Sequence, residues 1–109
     1  YLQKAKELNL PITAHVEQLS AFGGTELVLN FHPQSVDHVV YIEPQTIQRL
    51  AKADTTAVLL PASDFYLKMR YPPARELIQA GARVALSTDF NPGTSPTQDL
   101  SLVGVLARL

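Results

Sequence analysis

The sequence contains no cysteine, and this absence excludes both a disulfide framework and a metal site built on thiolates. It also lacks an excess of charge of one sign, because nine lysines and arginines are balanced by ten aspartates and glutamates. A basic stripe would mark a nucleic-acid-binding protein, so we expect no nucleic-acid partner. No apolar run is long enough to span a bilayer, and no signal-peptide pattern opens the chain. We therefore expect no membrane partner and a cytoplasmic protein.

What is present suits a packed core. Hydrophobic residues make up 46% of the 109 positions and charged residues only 17%, which is not the composition of a disordered tail. The chain opens at Tyr1 inside a helix-like segment and closes on an apolar, helix-like pattern without a polar tail. We therefore expect these residues to be one piece of a longer protein.

Helix-like and strand-like segments alternate along the chain. The expected strands are short, continuous apolar runs, which is typical of a parallel sheet covered by helices on its faces. Four βα units would make half of an eight-fold α/β barrel, and a flavodoxin-like open sheet is the alternative. The expected strands are 10–16, 35–41, 55–61 and 83–89, and the expected helices are 1–9, 21–32, 44–53, 72–81 and 95–109.

Several residues are expected to have purely structural roles. Pro61 is expected to end the third strand, and Ser95 to cap the last helix ahead of a proline. The glycine pair before Thr25 lacks the further glycines or lysine of a phosphate-binding loop, so we expect a tight turn capped by that threonine. His32 is expected at the surface of a helix-to-loop junction, and Asp37 is expected to hydrogen-bond within its strand.

Three side chains with chemical potential lie near the carboxyl ends of predicted strands: His15, His38 and Asp89. In parallel α/β folds this edge of the sheet carries the functional site. Imidazole and carboxylate ligands suit Zn²⁺ or Fe²⁺, although a catalytic metal site usually has three or more protein ligands. A histidine near a strand end is also compatible with a purely structural role, so the pattern alone leaves both interpretations open.

The segment "FNPGTSP" after the fourth strand is rigid and rich in hydrogen-bond donors. Asn91 offers a side-chain amide, and Gly93 and Thr94 offer backbone N–H groups. Such a loop can hold a small anion or a polar group at a helix N-terminus, or it is only a turn and a cap. At the other end of the predicted sheet, Gln18 would be free to reach the pocket if the first strand ends at His15.

The motifs "HVEQLSAFGGTEL", "SVDHV", "AVLLP" and "STDFNPGTSP", in this order, resemble the imidazolonepropionases, which are metal-dependent amidohydrolases of histidine degradation. The resemblance covers nearly the whole chain. It implies a distorted (β/α)₈ TIM barrel, of which residues 1–109 form a partial catalytic barrel with about strands 5 to 8. It also implies hydrolysis of 4-imidazolone-5-propanoate to N-formimino-L-glutamate, one Zn²⁺ or Fe ion per site, and a homodimer.

The resemblance further implies roles for individual residues. His15 and Asp89 match two metal ligands, and the remaining H-x-H pair is absent from this chain. His38 matches a histidine beside the substrate carbonyl, and Asp89 would also transfer the proton. Val40 departs from the glutamate often found at its position. The residues that match substrate-binding positions are Gln18, Asn91, Gly93 and Thr94.

Two other functions remain open from the sequence. The chain could belong to another cyclic-amide hydrolase or deaminase of the amidohydrolase superfamily, or to a small-molecule-binding fragment without turnover. Because two expected metal ligands are absent and a half barrel exposes sheet edges, we expect the 109-residue chain alone to be inactive.

Overall fold

The computed structural model describes residues 1–108, so the predicted end of the last helix at residue 109 lies outside the described residues. Its centre is one four-stranded sheet in which every pairing is parallel and the strands follow one another in chain order. The strands are β1 (Thr13–Val16), β2 (Ser35–His38), β3 (Thr56–Leu59) and β4 (Arg83–Leu86).

Helices precede, connect and follow the strands. Within residues 1–108, no helix has the length and apolar character needed to cross a membrane. The helices are α1 (Leu2–Glu7), α2 (Gly24–Val28, continued by the 3₁₀ turn Leu29–Phe31), α3 (Pro44–Ala51), α4 (Pro61–Tyr66), α5 (Ala74–Ala80) and α6 (Leu100–Leu106).

The strand order decides between the two expected folds. A flavodoxin-like sheet reverses its order after the first strand, whereas a barrel adds each strand beside the one before it. The observed order β1-β2-β3-β4 is the barrel order. In the register, His15 lies opposite Asp37 and Val16 opposite His38, so the carboxyl ends of the strands meet at one edge of the sheet.

The core lies between one face of the sheet and the helices packed on it. Val36 and Ala57 from the strands, and Leu50 and Leu77 from α3 and α5, are completely buried in one apolar cluster. Burying a side chain such as Leu50 contributes about 1.5–3 kcal/mol, so this cluster fixes the strands firmly. The strand ends that carry the candidate site therefore have a rigid support.

The prediction that Pro61 ends a strand is wrong. β3 already ends at Leu59, and Pro61 is the first residue of α4, a helix that the sequence reading missed. Proline suits this position because its fixed φ is helical and its missing N–H would be unpaired there in any case.

The prediction that Ser95 caps the last helix is also wrong. The Ser95 backbone pairs with Asn91, and its hydroxyl donates to the carbonyl of Thr88 at 2.6 Å. The helix starts five residues later, where the Asp99 side chain accepts hydrogen bonds from the first-turn N–H groups. An aspartate is as good a cap as a serine, and here Ser95 is already occupied in the loop.

Thr25 does not cap α2 either. The N-cap is Gly23, with a left-handed φ of +81°, and it provides no side-chain hydrogen bond. The tight glycine turn was predicted correctly, but both polar groups of Thr25 bind the side chain of Glu17 instead.

Candidate active site

Three side chains converge at the carboxyl edge of the sheet. The imidazole rings of His15 and His38 have centroids 4.3 Å apart and are inclined at 50°. The Nε2 atom of His38 lies 3.9 Å from the Oδ2 atom of Asp89. The structure thus brings together the three residues singled out at strand ends, and their chemical roles stay predictions.

Each of the three reaches this edge from a different local structure. His15 is the third residue of β1 and its side chain is exposed, while His38 is the last residue of β2 and only 3% exposed. Asp89 follows the end of β4 by three residues. His38 and Asp89 both have left-handed backbones, with φ of +73° and +52°. Such conformations are uncommon outside glycine and tend to occur at functional sites.

The environment of His38 favours its neutral form. Burial is the largest effect that lowers the pKa of His38, and the neighbouring His15 lowers it further. The carboxylates of Asp89 and Asp37 act in the opposite direction and only partly offset these effects. The buried Nδ1 atom of His38 has no hydrogen-bond partner among the described residues. A neutral imidazole donates one hydrogen bond and accepts another, which suits a group that contacts a carbonyl.

The donor types at this edge match a divalent metal, but their number is small. His15 and Asp89 supply an imidazole nitrogen and carboxylate oxygens, which are ligands for zinc and iron. Within residues 1–108 there is no group of three or more histidine, aspartate or glutamate side chains arranged to hold a metal. This chain therefore fits as a contributor of two ligands to a larger site.

The loop after Asp89 is held by the side chain of Asn91. Its Oδ1 atom accepts hydrogen bonds from the N–H groups of Gly93 at 2.9 Å and Thr94 at 2.8 Å. Its Nδ2 atom donates to the Asp89 carbonyl and to the Thr94 hydroxyl, each at 2.7 Å. The donors expected to meet a substrate are thus bonded within the loop, and the loop is a rigid platform beside Asp89.

Gln18 lies at the opposite end of the row of strand ends. β1 continues one residue beyond His15, to Val16, and the chain then turns at Glu17 with a φ of +43°. Gln18 is 9% exposed, so its side chain is directed inward rather than into solvent. Its role toward a substrate stays a prediction.

The sequence reading missed two buried polar residues on α4. Ser63 and Asp64 are completely buried, and their side-chain oxygens have no hydrogen-bond partner in the described part of the chain. Burial raises the pKa of Asp64 to about 7, and the negative charge of Asp89 adds to the effect. The proline that starts α4 was the one available signal, since a proline after a strand is also a common first residue of a helix.

The chain resembles known proteins over its whole length. It is 54% identical to an imidazolonepropionase of Bdellovibrio bacteriovorus and 46% identical to one of Bacillus velezensis, each aligned with 100% of this chain and 26% of the relative. An imidazolonepropionase of Staphylococcus aureus is 41% identical, again across 100% of this chain and 27% of the relative. The chain thus spans about a quarter of the length of these relatives. No model of a protein family matches it.

Solved structures agree on the fold. A zinc-bound adenosine deaminase from Xanthomonas campestris superposes with a TM-score of 0.78 at 18% identity, over 96% of this chain and 27% of the deaminase. A guanine deaminase from C. acetobutylicum, with guanine in its active site, superposes with a TM-score of 0.71 at 21% identity, over 86% of this chain and 26% of the deaminase. The predicted α/β fold, part of a barrel with parallel strands, is confirmed. Over its whole length, the chain is therefore similar to one segment of the imidazolonepropionases, and it has the fold of the matching segments of these deaminases.

Proposed function

We propose that the protein carrying this chain hydrolyses 4-imidazolone-5-propanoate to N-formimino-L-glutamate. The observation that supports this most is the meeting of His15, His38 and Asp89 at the carboxyl edge of a barrel-type sheet. This arrangement occurs in a chain that is 41–54% identical to imidazolonepropionases along its length. The reaction adds water across one carbon–nitrogen bond of the ring.

His15 and Asp89 would hold a Zn²⁺ or Fe ion together with ligands from outside residues 1–108. When bound, such an ion lowers the pKa of a coordinated water and polarises a carbonyl oxygen. The His15 and His38 rings are inclined to each other, and they differ in exposure, because His15 is exposed at the edge and His38 is enclosed. The two imidazoles are therefore suited to different roles.

Asp89 is suited to move the proton. A carboxylate oxygen of Asp89 takes the proton from the attacking water while the oxygen of that water bonds to the ring carbonyl carbon. The same atom then gives the proton to the ring nitrogen as the carbon–nitrogen bond breaks, so that one group serves as base and then as acid. The Asn91 side chain supports this role by holding the Asp89 carbonyl in place at 2.7 Å.

His38 is suited to stabilise the negative charge on the carbonyl oxygen. Its lowered pKa keeps the ring neutral, so it offers one N–H donor without adding a positive charge. A fixed donor directed at the developing oxyanion is among the strongest single contributions to catalysis. The buried position of His38 strengthens this interaction by excluding water.

The polar groups of the substrate would meet Gln18 on one side and the Asn91 loop on the other. Because the N–H groups of Gly93 and Thr94 already donate to Asn91, the substrate would share these donors or displace the amide. We also propose that residues 1–109 form strands 5 to 8 of a catalytic barrel in a cytoplasmic homodimer. Light scattering on the purified protein tests the dimer.

The test of the function is an assay on the protein expressed at the full length that its gene encodes. Loss of the absorbance of imidazolone propionate and appearance of N-formimino-L-glutamate by mass spectrometry are expected, with one metal ion per subunit by elemental analysis. Ammonia release from an aminopurine with no reaction of imidazolone propionate would instead indicate a deaminase. Tight binding without turnover would indicate a binding module.

A further inference from the structure

We infer that Glu17 is a positioning residue, which fixes the loop carrying Gln18 and joins the two strand ends that carry His15 and His38. The inference rests on the proposed function and deepens it. Glu17 itself has no assigned role in the reaction described above, and it is the first residue after β1.

The carboxylate of Glu17 is buried and committed to one partner. Glu17 is 2% exposed, and Thr25 on α2 is completely buried. Both carboxylate oxygens lie 3.1 Å from the backbone nitrogen of Thr25, and the Thr25 hydroxyl donates to the Oε2 atom. A carboxylate removed from water is costly unless it is paired or hydrogen-bonded, and these bonds replace part of the hydration that Glu17 loses.

This contact closes the loop between β1 and α2. Glu17 and Thr25 stand at the two ends of residues 18–24, so their side-chain and backbone bonds form a clasp at the base of the loop. Gln18 is the first residue inside the clasp and is 9% exposed. Since only one peptide bond separates Gln18 from the fixed Glu17, the clasp limits where the Gln18 side chain can reach.

The backbone of Glu17 extends the pairing of β1 with β2 past the ends of both strands. Its carbonyl accepts a hydrogen bond from the Tyr41 N–H at 2.9 Å, and the Val16 carbonyl accepts one from the Val39 N–H at 3.2 Å. Between these bonds, Glu17, His38 and Val39 all have left-handed φ angles, from +43° to +73°. Left-handed conformations at non-glycine residues persist only where the surroundings hold them. Glu17 therefore helps to hold the conformation that presents His38.

A buried polar pair that served stability alone would behave differently from a clasp that positions the site. Its loss would lower the melting temperature or the yield of folded protein, and the folded fraction would keep its KM and kcat. Loss of the clasp should instead change KM and kcat by different factors in protein that is folded and loaded with metal.

The experiment compares three test variants and one control variant of the full-length protein. Thr25→Val keeps the shape of the side chain and removes the hydroxyl, while Thr25→Ser restores it. Glu17→Gln keeps one acceptor oxygen and removes the charge. Glu26→Gln is the matched control, because Glu26 is an exposed glutamate that lies on α2, as Thr25 does, and pairs with Arg49.

We expect Thr25→Val to raise the KM for imidazolone propionate by about tenfold and to change kcat by less than about threefold, with unchanged metal content. Thr25→Ser should return KM to within about twofold of the wild-type value, and Glu26→Gln should match the wild type. Wild-type kinetics in Thr25→Val would overturn the inference, as would a defect that serine does not rescue. If Thr25→Val does not fold, Glu17→Gln decides by the same split between KM and kcat.

Hydrogen exchange separates this inference from the proposed function. The backbone amides of residues 18–25 should exchange faster in Thr25→Val than in the wild type or in Thr25→Ser. A wild-type protein that does not turn over imidazolone propionate would refute the proposed function, and the exchange rates would still decide for or against the clasp. Unchanged exchange in Thr25→Val would overturn the clasp even if the enzyme is active.

Discussion

The rings of His15 and His38 stand 4.3 Å apart, although the two residues belong to different βα units. The parallel register explains the contact, since it places Val16 opposite His38 and His15 opposite Asp37, the residue before His38. Burial lowers the pKa of His38, and the neighbouring His15 imidazole lowers it further. The pair thus consists of an exposed ring and a buried ring, and in the proposed reaction the first would bind the metal and the second would contact the carbonyl.

The neutral, buried state of His38 leads to the first prediction. His38→Asn should lower kcat by about 10²–10³-fold with a smaller change in KM, because the shorter asparagine side chain does not place a donor where the imidazole Nε2 atom lies. Asparagine also tolerates the left-handed backbone at this position, so the fold should be preserved. Steady-state kinetics and circular dichroism of the full-length variant check both expectations.

His32→Asn is the matched control for that substitution. His32 is exposed and also has a left-handed φ, of +53°, at the end of the 3₁₀ turn. Its predicted position at a helix-to-loop junction was correct, and the variant should retain wild-type kinetics. Equal losses in the two variants would argue against any special role for His38.

The second prediction concerns Asp89, which serves as a ligand and a proton carrier in the proposed reaction. Asp89→Asn should lower kcat by at least about 10³-fold, since an amide cannot accept the proton. The metal content after dialysis should fall as well, because a neutral amide is a poorer ligand than a carboxylate. Assay and elemental analysis on the same samples separate the two effects.

Asp99→Asn controls for the loss of a surface charge. Asp99 is exposed and caps α6, and asparagine caps a helix about as well as aspartate does. Wild-type turnover is expected in this variant. Retention of wild-type turnover in Asp89→Asn would refute the assigned role.

The sequence predicted most of the framework because its signals were local. Pro44 at the first position of α3 and Gly81 after α5 mark the helix ends where they were expected, and Gly81 has the left-handed φ of +90° that favours glycine. The convergence of His15 with His38 followed from parallel strands alone. The residues were found because a barrel brings all strand ends to one edge.

What the sequence did not reveal depends on contacts between distant residues. Asp64 lies on α4, which packs against α6 through Ala62, and its side chain is completely buried, although no pattern near Asp64 indicates this. Thr25 looked like a cap because threonine commonly caps helices, but its partner Glu17 lies at the other end of the loop, directly after β1. Ser95 failed as a cap for the same reason, since Asn91 and Thr88 had already engaged it.

The third prediction tests the Asn91 platform. Asn91→Ala removes four hydrogen bonds within the loop, to Asp89, Gly93 and Thr94. We expect kcat/KM to fall by about 10-fold to 100-fold, because both Asp89 and the loop donors lose their support. The exposed Asn30, replaced by alanine, is the control, and its variant should keep wild-type kcat/KM. Full activity in Asn91→Ala would show that the loop holds its shape without this side chain.

The fourth prediction concerns stability and pH, and it follows from the Asp64 carboxyl, which has no hydrogen-bond partner within residues 1–108. Folding raises the pKa of this group from 3.8 to about 7. At a pH between these two values, the carboxyl is protonated in the folded state and ionised in the unfolded state. The contribution of Asp64 is therefore most favourable at low pH and is lost as pH rises toward 7. Asp64→Asn is neutral at every pH and avoids this loss. We therefore expect the difference in unfolding free energy, variant minus wild type, to increase by about 2 kcal/mol when the pH is raised from 5 to 8. Asp54→Asn, at an exposed aspartate that pairs with Arg83, is the control. Chemical unfolding of the full-length proteins at pH 5 and pH 8 measures this difference. A difference that is the same at both pH values would show that Asp64 is ionised in the folded protein.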